Sequence, residues 1–300
     1  MRDLEELVKN LGEIKRDFSL RELTTLRIGG KARYFFIPYS EFNLVEALRI
    51  FREKGLDYYI LGGGSNILIS SEGIEKVIIK LNFQDKCFLK KDSIFYLGSS
   101  LTIREILNFS LINNLGGLEF LASLPASLGG AIVNNASFRG DSIFDRVRRV
   151  KVLDPQTQKI FFLDKERIEY GYRCSSLKSK GLIVLGAEIG FYPSSSENIK
   201  EKIAQVVAYR IRTQEVGKYS AGCIFKNPSS GVSSAKLIEE VGLKGFRRGS
   251  AFISLKHANF IINEGEASSW DVIFLIEYIK EKVYNKFGIL LEEEIEKWGC

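Results

Sequence analysis

A short apolar strand over residues 58–61 runs without a break into Gly62-Gly63-Gly64-Ser65-Asn66. Glycine accepts positive φ and lets another main chain or a ligand come into contact with its backbone. A strand that ends this way must deliver a tight loop, and the loop's amides can point at phosphate oxygens. The same punctuation returns between residues 121 and 140. There Leu124-Pro125 precedes Gly129-Gly130-Ala131 and Asn134-Asn135-Ala136. Neither cluster reads G-x-x-x-x-G-K-[ST] or G-x-G-x-x-G, so the mononucleotide P-loop and Rossmann readings lack their signatures. A structural turn accounts for either cluster alone. Two in one domain, with Thr24-Thr25-Leu26-Arg27-Ile28-Gly29-Gly30 upstream, favour a dinucleotide pyrophosphate.

Around these clusters the periodicity is mixed. Leu44, Ala47, Leu48 and Phe51 share one face of a helix predicted over 42–54, and Thr102 opens a second over 102–114 as its N-cap. Strands are predicted at 76–81, 94–97, 148–153, 160–163 and 182–191, with Asp154-Pro155-Gln156-Thr157 as a turn. Pro193-Ser194-Ser195-Ser196-Glu197-Asn198 is the best linker candidate, with Ser196 or Asn198 able to cap the helix after it. Beyond it come helices over 199–212, 234–241 and 267–287, and strands over 251–254, 259–263 and 289–295. There is no internal repeat. The 300 residues exceed the roughly 100–200 of a single domain, so the expectation is an α+β chain divided near residue 193.

Charge narrows the partners. The net charge is +6, but Lys and Arg alternate with Asp and Glu throughout. No basic run marks a nucleic-acid stripe, and the excess reads first as a solvated mixed surface and second as attraction to an anionic small molecule. Cys87, Cys174, Cys223 and Cys300 form no C-x-x-C pair and have no metal spacing with His257, the single histidine. Reduced thiols in a cytoplasmic protein, with no metal, are the expectation. The start, Met-Arg-Asp-Leu-Glu-Glu-Leu, carries acids where a signal peptide would be apolar. No apolar run approaches the roughly 20 residues of a membrane span.

Three separated segments carry candidate chemistry. Arg173 lies in Gly-Tyr-Arg-Cys-Ser-Ser (171–176), a neutral small-residue stretch; it suits either a buried salt bridge or bidentate contact with a carboxylate. Cys223 lies in Ser-Ala-Gly-Cys-Ile-Phe-Lys-Asn-Pro (220–228), as an inert thiol or one open to a ligand. Lys226 there reads as a solvated charge or a phosphate contact. Glu292, Glu293 and Glu294 read as a charged strand end, with Glu292 and Glu294 on one face; a carboxyl held beside a bound anion would be raised in pKa and able to act as an acid. His257 is read as structural in preference to catalytic. If guanidinium, thiol and carboxyl meet, they suit a reaction that forms and then protonates a carboxylate-bearing carbanion.

Taken together the segments resemble the UDP-N-acetylenolpyruvoylglucosamine reductase (MurB) family. The resemblance rests on TTLRIGG (24–30), LGGGSN (61–66), LEFLASLPASLGGAIVNNAS (118–137), GYRCSS (171–176), SAGCIFKNP (220–228), AKLIEEVGLKG (235–245), SLKHANFIIN (254–263) and FGILLEEEI (287–295), in family order over nearly the whole chain. It implies a two-lobed FAD-binding domain of vanillyl-alcohol-oxidase (PCMH) type over 1–192, its lobes divided near 81–86. A smaller α+β substrate-binding domain would follow over 193–300. FAD contacts would fall on Gly62, Gly63, Gly64, Ser65, Asn66, Pro125, Gly129, Gly130, Asn135 and Arg210, with Arg212 the alternative to Arg210. Substrate contacts would fall on Tyr172, Lys226, Asn227 and Asn259. The short interval from Arg173 to Ser220 resembles the subtype without a tyrosine-loop insertion.

The resemblance also implies the chemistry. NADPH would reduce FAD, and hydride would pass from flavin N5 to the vinyl carbon of the enolpyruvyl ether of UDP-N-acetylglucosamine. Arg173 and Glu294 match the residues that stabilise the enolate, and Cys223 matches the proton donor. The family usually has serine at that position; a thiol, with an ordinary pKa near 8.5, is the stronger acid. Ala126 and Ser137 replace common glycines, and Glu215 replaces a proline after Gln214. The partners expected are NADPH and a UDP-sugar, with the chain a monomer. The alternatives are another FAD-dependent oxidoreductase of the same fold and a non-catalytic nucleotide-sugar or nucleic-acid binder.

Overall fold

The computed structural model describes residues 4–83, 87–229 and 231–300. It resolves into two compact units. The first gathers the residues up to 16, then 34–63 and 76–208; the second gathers 17–33, 64–75 and 209–300. The expected domains, 1–192 and 193–300, cut the chain elsewhere, and the expected lobe division near 81–86 falls partly outside the described residues. The difference at 193 has a local cause. Ser195 Oγ accepts from the N–H of Asn198 at 3.2 Å, so the serines cap a helix, Ser196–Thr213, instead of forming a linker. Ile203, Val206 and Val207 of that helix then pack on the first unit's core.

In the first unit the strands Gly12–Ser19, Lys31–Pro38, Ile74–Lys80 and Tyr58–Leu61 form a sheet in that order. The last two run parallel, Leu61 opposite Lys80. The helix Glu41–Glu53, capped by Ser40, buries Leu44, Ala47, Leu48 and Phe51 against a core that includes Phe36, Val77 and Ile79. A second sheet is wholly antiparallel, in the order Lys159–Asp164, Val147–Asp154, Ile183–Gly190, Ile94–Gly98, Cys87–Lys91. Ile183–Gly190 lies inside it and is buried along its whole length, which is why its sequence is apolar on both faces except at Glu188, whose carboxylate pairs with Arg149. Leu107, Ile132, Phe144, Val150 and Ala187 form the core beside it. The helix Ile103–Ile112 opens with a capping box between Thr102 and Glu105. Two cores thus lie within one unit, joined through the central strand: Ile183 and Leu185 face one, Val184 and Ala187 the other.

The second unit is built on the helix Ser269–Phe287, which opens with a Ser268–Asp271 capping box and ends at Gly288 with φ +69°. Its Val272, Leu275, Ile276 and Ile279 meet Ile224, Phe225, Ile253 and Ile261, and also Leu26, Ile28 and Leu68 from far upstream. A three-stranded antiparallel sheet runs Arg247–Arg248, Ala251–Ile253, Ile261–Asn263. The final strand is Glu296–Trp298, parallel to Ile67–Ile69, and not 289–295 as the periodicity suggests. The Ile224 carbonyl takes the N–H of both Glu294 and Ile295, which breaks any regular ladder there. Pairing resumes only where the Asn66 carbonyl accepts from the Glu296 N–H at 3.0 Å.

Candidate active site

In the first unit Gly62 and Gly63 lie directly on Pro125–Ser127. A Cβ at Gly63 would stand 2.8 Å from the Pro125 carbonyl oxygen and 2.9 Å from the Ala126 Cα, so only glycine allows this approach. Ser127 caps the short helix Leu128–Val133, its Oγ accepting from the Gly130 N–H at 3.3 Å. Gly129 and Gly130 are therefore the first turn of a helix and not a free loop. Lys80, at the end of the strand beside the first cluster, donates its Nζ to the Gly62 carbonyl. Burial lowers that ammonium's pKa.

Arg173 is the second corner of the hairpin Tyr170–Gly171/Cys174–Ser175. Its φ is +57°, a left-handed conformation that costs a non-glycine residue about 1–2 kcal/mol. The hairpin is fastened to the glycine-rich segment at three places. Asn135 Nδ2 donates to the Gly171 carbonyl at 2.8 Å, and Ser175 Oγ donates to the Val133 carbonyl at 2.7 Å. Arg173 Nη1 donates to both the carbonyl and the hydroxyl of Ser137, each at 3.2 Å. Tyr172, half exposed, lies beside the guanidinium, its ring centroid 5.5 Å from Cζ.

In the second unit the segments bearing Cys223 and Glu294 adjoin. The Glu294 N–H donates to the Ile224 carbonyl at 2.7 Å, and the Lys226 N–H to the Glu292 carbonyl at 2.8 Å. Asn259, buried, bonds Phe225 twice: its Oδ1 accepts from the N–H at 2.9 Å and its Nδ2 donates to the carbonyl at 2.8 Å. Asn66 Nδ2 donates to the Glu294 carbonyl at 2.9 Å. Thr25 closes the assembly, its N–H donating to the Gly64 carbonyl and its Oγ1 to the Ser220 carbonyl. Gly64, φ +66°, is required there because a Cβ would run into the Leu23 carbonyl.

The three glutamates have separate surroundings. Glu292 pairs with Lys226, which gives that lysine a carboxylate partner. Burial pushes the Glu293 carboxyl up, but Lys280 and Lys297 outweigh it and hold its pKa below the usual range; Lys297 Nζ lies 2.9 Å from its Oε2. Glu293 is thereby a structural anchor to the long helix. Glu294 is half-buried, its N–H held by the Ile224 carbonyl. His257 is half-buried with its ring edge-on to Phe260, and burial lowers its pKa.

Residues 214–298 match the family described as UDP-N-acetylenolpyruvoylglucosamine reductase, C-terminal domain. Residues 32–160 match an FAD binding domain. A UDP-N-acetylenolpyruvoylglucosamine reductase of Caldanaerobacter subterraneus subsp. tengcongensis is 37% identical over 99% of this chain and 97% of its own. One from Pseudothermotoga lettingae is 38% identical over 95% of this chain and 98% of its own. The crystal structure of the enzyme from Thermus caldophilus superposes with a TM-score of 0.79 at 32% identity, covering 96% of this chain and 98% of that one.

The chain belongs to the UDP-N-acetylenolpyruvoylglucosamine reductase family. It is an FAD-dependent oxidoreductase, with an FAD-binding domain of PCMH type followed by the family's C-terminal domain. The residues fit a dinucleotide on two observations: the buried Asn135 Oδ1 has no partner among the described residues, and the Gly63 N–H has no acceptor among them.

Of the residues expected from sequence, the first unit holds Gly62, Gly63, Pro125, Gly129, Gly130, Asn135, Tyr172 and Arg173. The second holds Gly64, Ser65, Asn66, Arg210, Cys223, Lys226, Asn227, Asn259 and Glu294. Arg210 is half-buried; Arg212 is exposed and lies over the Tyr209 ring. Asn227 Oδ1 accepts from the Ser234 N–H at 3.1 Å. Sequence reasoning missed Lys80, whose one signal is a charge ending the apolar run Val77-Ile78-Ile79. It also gave Ser137 no role beyond departing from glycine.

Proposed function

We propose that this chain reduces the enolpyruvyl ether of UDP-N-acetylglucosamine to UDP-N-acetylmuramate, a step in peptidoglycan precursor synthesis, with NADPH as electron source. The reading rests on the adjoining of Glu294 and Ile224, which sets an acid-bearing segment beside a thiol-bearing one. The names of the relatives support the same substrate. FAD, when bound on Gly62–Gly63, Pro125, Gly129–Gly130 and Asn135, supplies the hydride.

Arg173, Cys223 and Glu294 are proposed to act on the substrate. Arg173 offers the substrate carboxylate a fixed cation as negative charge grows on it. Such preorganised charge is worth about 3–4 kcal/mol in a transition state. Cys223 gives its proton to the carbon beside the carboxylate, and Glu294 acts as a second acid at the enolate oxygen. Tyr172, Lys226 and Asn227 contact the nucleotide sugar, while Asn259 positions the Cys223 loop through Phe225.

The test is anaerobic reduction of the holoenzyme by NADPH, followed by stopped-flow mixing with the enolpyruvyl nucleotide sugar. Rapid reoxidation with stoichiometric UDP-N-acetylmuramate is expected. A reduced flavin that persists in the presence of that sugar and is consumed only by oxygen would overturn the assignment.

A further inference from the structure

Lys80 is half-buried at the end of a strand whose Val77, Ile78 and Ile79 are fully buried, and this burial lowers its pKa. No carboxylate pairs with it among the described residues; its one partner is the Gly62 carbonyl. An ammonium partly withdrawn from water and compensated by a single neutral carbonyl is costly, and such charges are ordinarily paired. The bond it makes also has a direction. In a trans peptide the C=O of one residue and the N–H of the next point oppositely. Lys80, by drawing on the Gly62 carbonyl, therefore turns the Gly63 N–H away from itself. That N–H has no acceptor among the described residues. Ammonium, peptide dipole and donor are thus aligned head to tail, an arrangement in which each group strengthens the next.

We propose that Lys80 is a positioning residue for the cofactor: it orients the Gly62–Gly63 peptide toward a phosphate of FAD and supplies a partly desolvated charge which that anion balances. This rests on the reading that the first glycine cluster holds the pyrophosphate, and it is independent of the sugar substrate. Before cofactor binds, the ammonium is a liability; afterwards it is half of a charge pair. Its removal should therefore weaken FAD binding without weakening the apoprotein, whereas a purely structural tether to Gly62 predicts that both fall.

The experiment uses apoprotein of wild type, Lys80→Met and Lys80→Gln, with FAD titrated by fluorescence quenching and the apoprotein's melting temperature recorded. Both variants are expected to raise the FAD Kd at least tenfold, with apoprotein melting temperatures equal to or above wild type. FAD affinities within twofold of wild type would overturn the proposal. So would a Lys80→Met loss of affinity and stability that Lys80→Gln, a neutral donor to the same carbonyl, restores. If the Met variant does not fold, the Gln variant alone decides by the same thresholds. Wild-type protein that binds riboflavin as tightly as FAD would instead remove the loop reading, leaving the two failures distinct.

Discussion

Arg173 and Ser137 are joined twice, the guanidinium donating from Nη1 to both oxygens of the serine at 3.2 Å. One of those bonds exists only because this chain departs from glycine at 137. Ser137→Gly removes the hydroxyl acceptor and leaves the carbonyl. A hydrogen bond of this kind contributes about 0.5–1.5 kcal/mol, so the sugar-reducing half-reaction should slow about two- to tenfold. Flavin reduction by NADPH should not change, and stopped-flow traces of the two half-reactions check both.

Arg173 itself sits where glycine would be comfortable. Arg173→Gly relieves a left-handed strain of about 1–2 kcal/mol while giving up the bonds to Ser137. The melting temperature should therefore stay within a few degrees of wild type. Product formation should fall by at least about 10²-fold, the size of a lost transition-state charge contact. A variant that keeps its turnover would remove Arg173 from the chemistry.

Cys223→Ala should leave flavin reduction intact and block product formation, since a carbanion needs a proton and hydride transfer does not need a thiol. Cys223→Ser should retain substantial turnover. Loss of both half-reactions in a folded Ala variant would assign the thiol another duty.

Asn259→Ala strips the partners from a buried N–H and a buried carbonyl of Phe225. Each unsatisfied group costs about 1–3 kcal/mol, so a loss of roughly 2–6 kcal/mol is expected in urea unfolding. Asn259→Asp, which keeps the acceptor but loses the donor, should fall between the two.

Burial lowers the pKa of His257. The unfolded chain, with an ordinary value near 6.5, then binds a proton more readily than the folded one. Stability from this group is complete above about pH 6.5 and is lost as pH falls through the lowered folded value. Urea midpoints at pH 7.5 and 5 should show the decline, and His257→Gln should flatten it.

The elements that bury a clear face were legible in the sequence: the helices opened by Ser40 and Thr102, the long C-terminal helix, and the strand Ile183–Gly190, apolar but for Glu188. The serine-rich stretch at 193–198 was not, because the same residues serve a linker and a cap, and only the packing of Ile203 and Val206 decides. Strand 289–295 failed for a related reason: Glu293 is drawn to Lys280 and Lys297, and the Ile224 carbonyl takes two adjacent amides, contacts that alternation does not encode. Lys80 was invisible because its partner is a main-chain carbonyl, which leaves no side-chain pattern.

The second unit draws its core from three stretches of chain, Leu26 and Ile28, then Leu68, then residues beyond 209. It therefore cannot be excised as a contiguous piece. A fragment beginning at 193 or 209 would lack those three apolar side chains and would expose the Ile224–Phe225 floor on which they rest. Such long-range closure is slow to form, so truncated expression products should aggregate where the intact polypeptide folds.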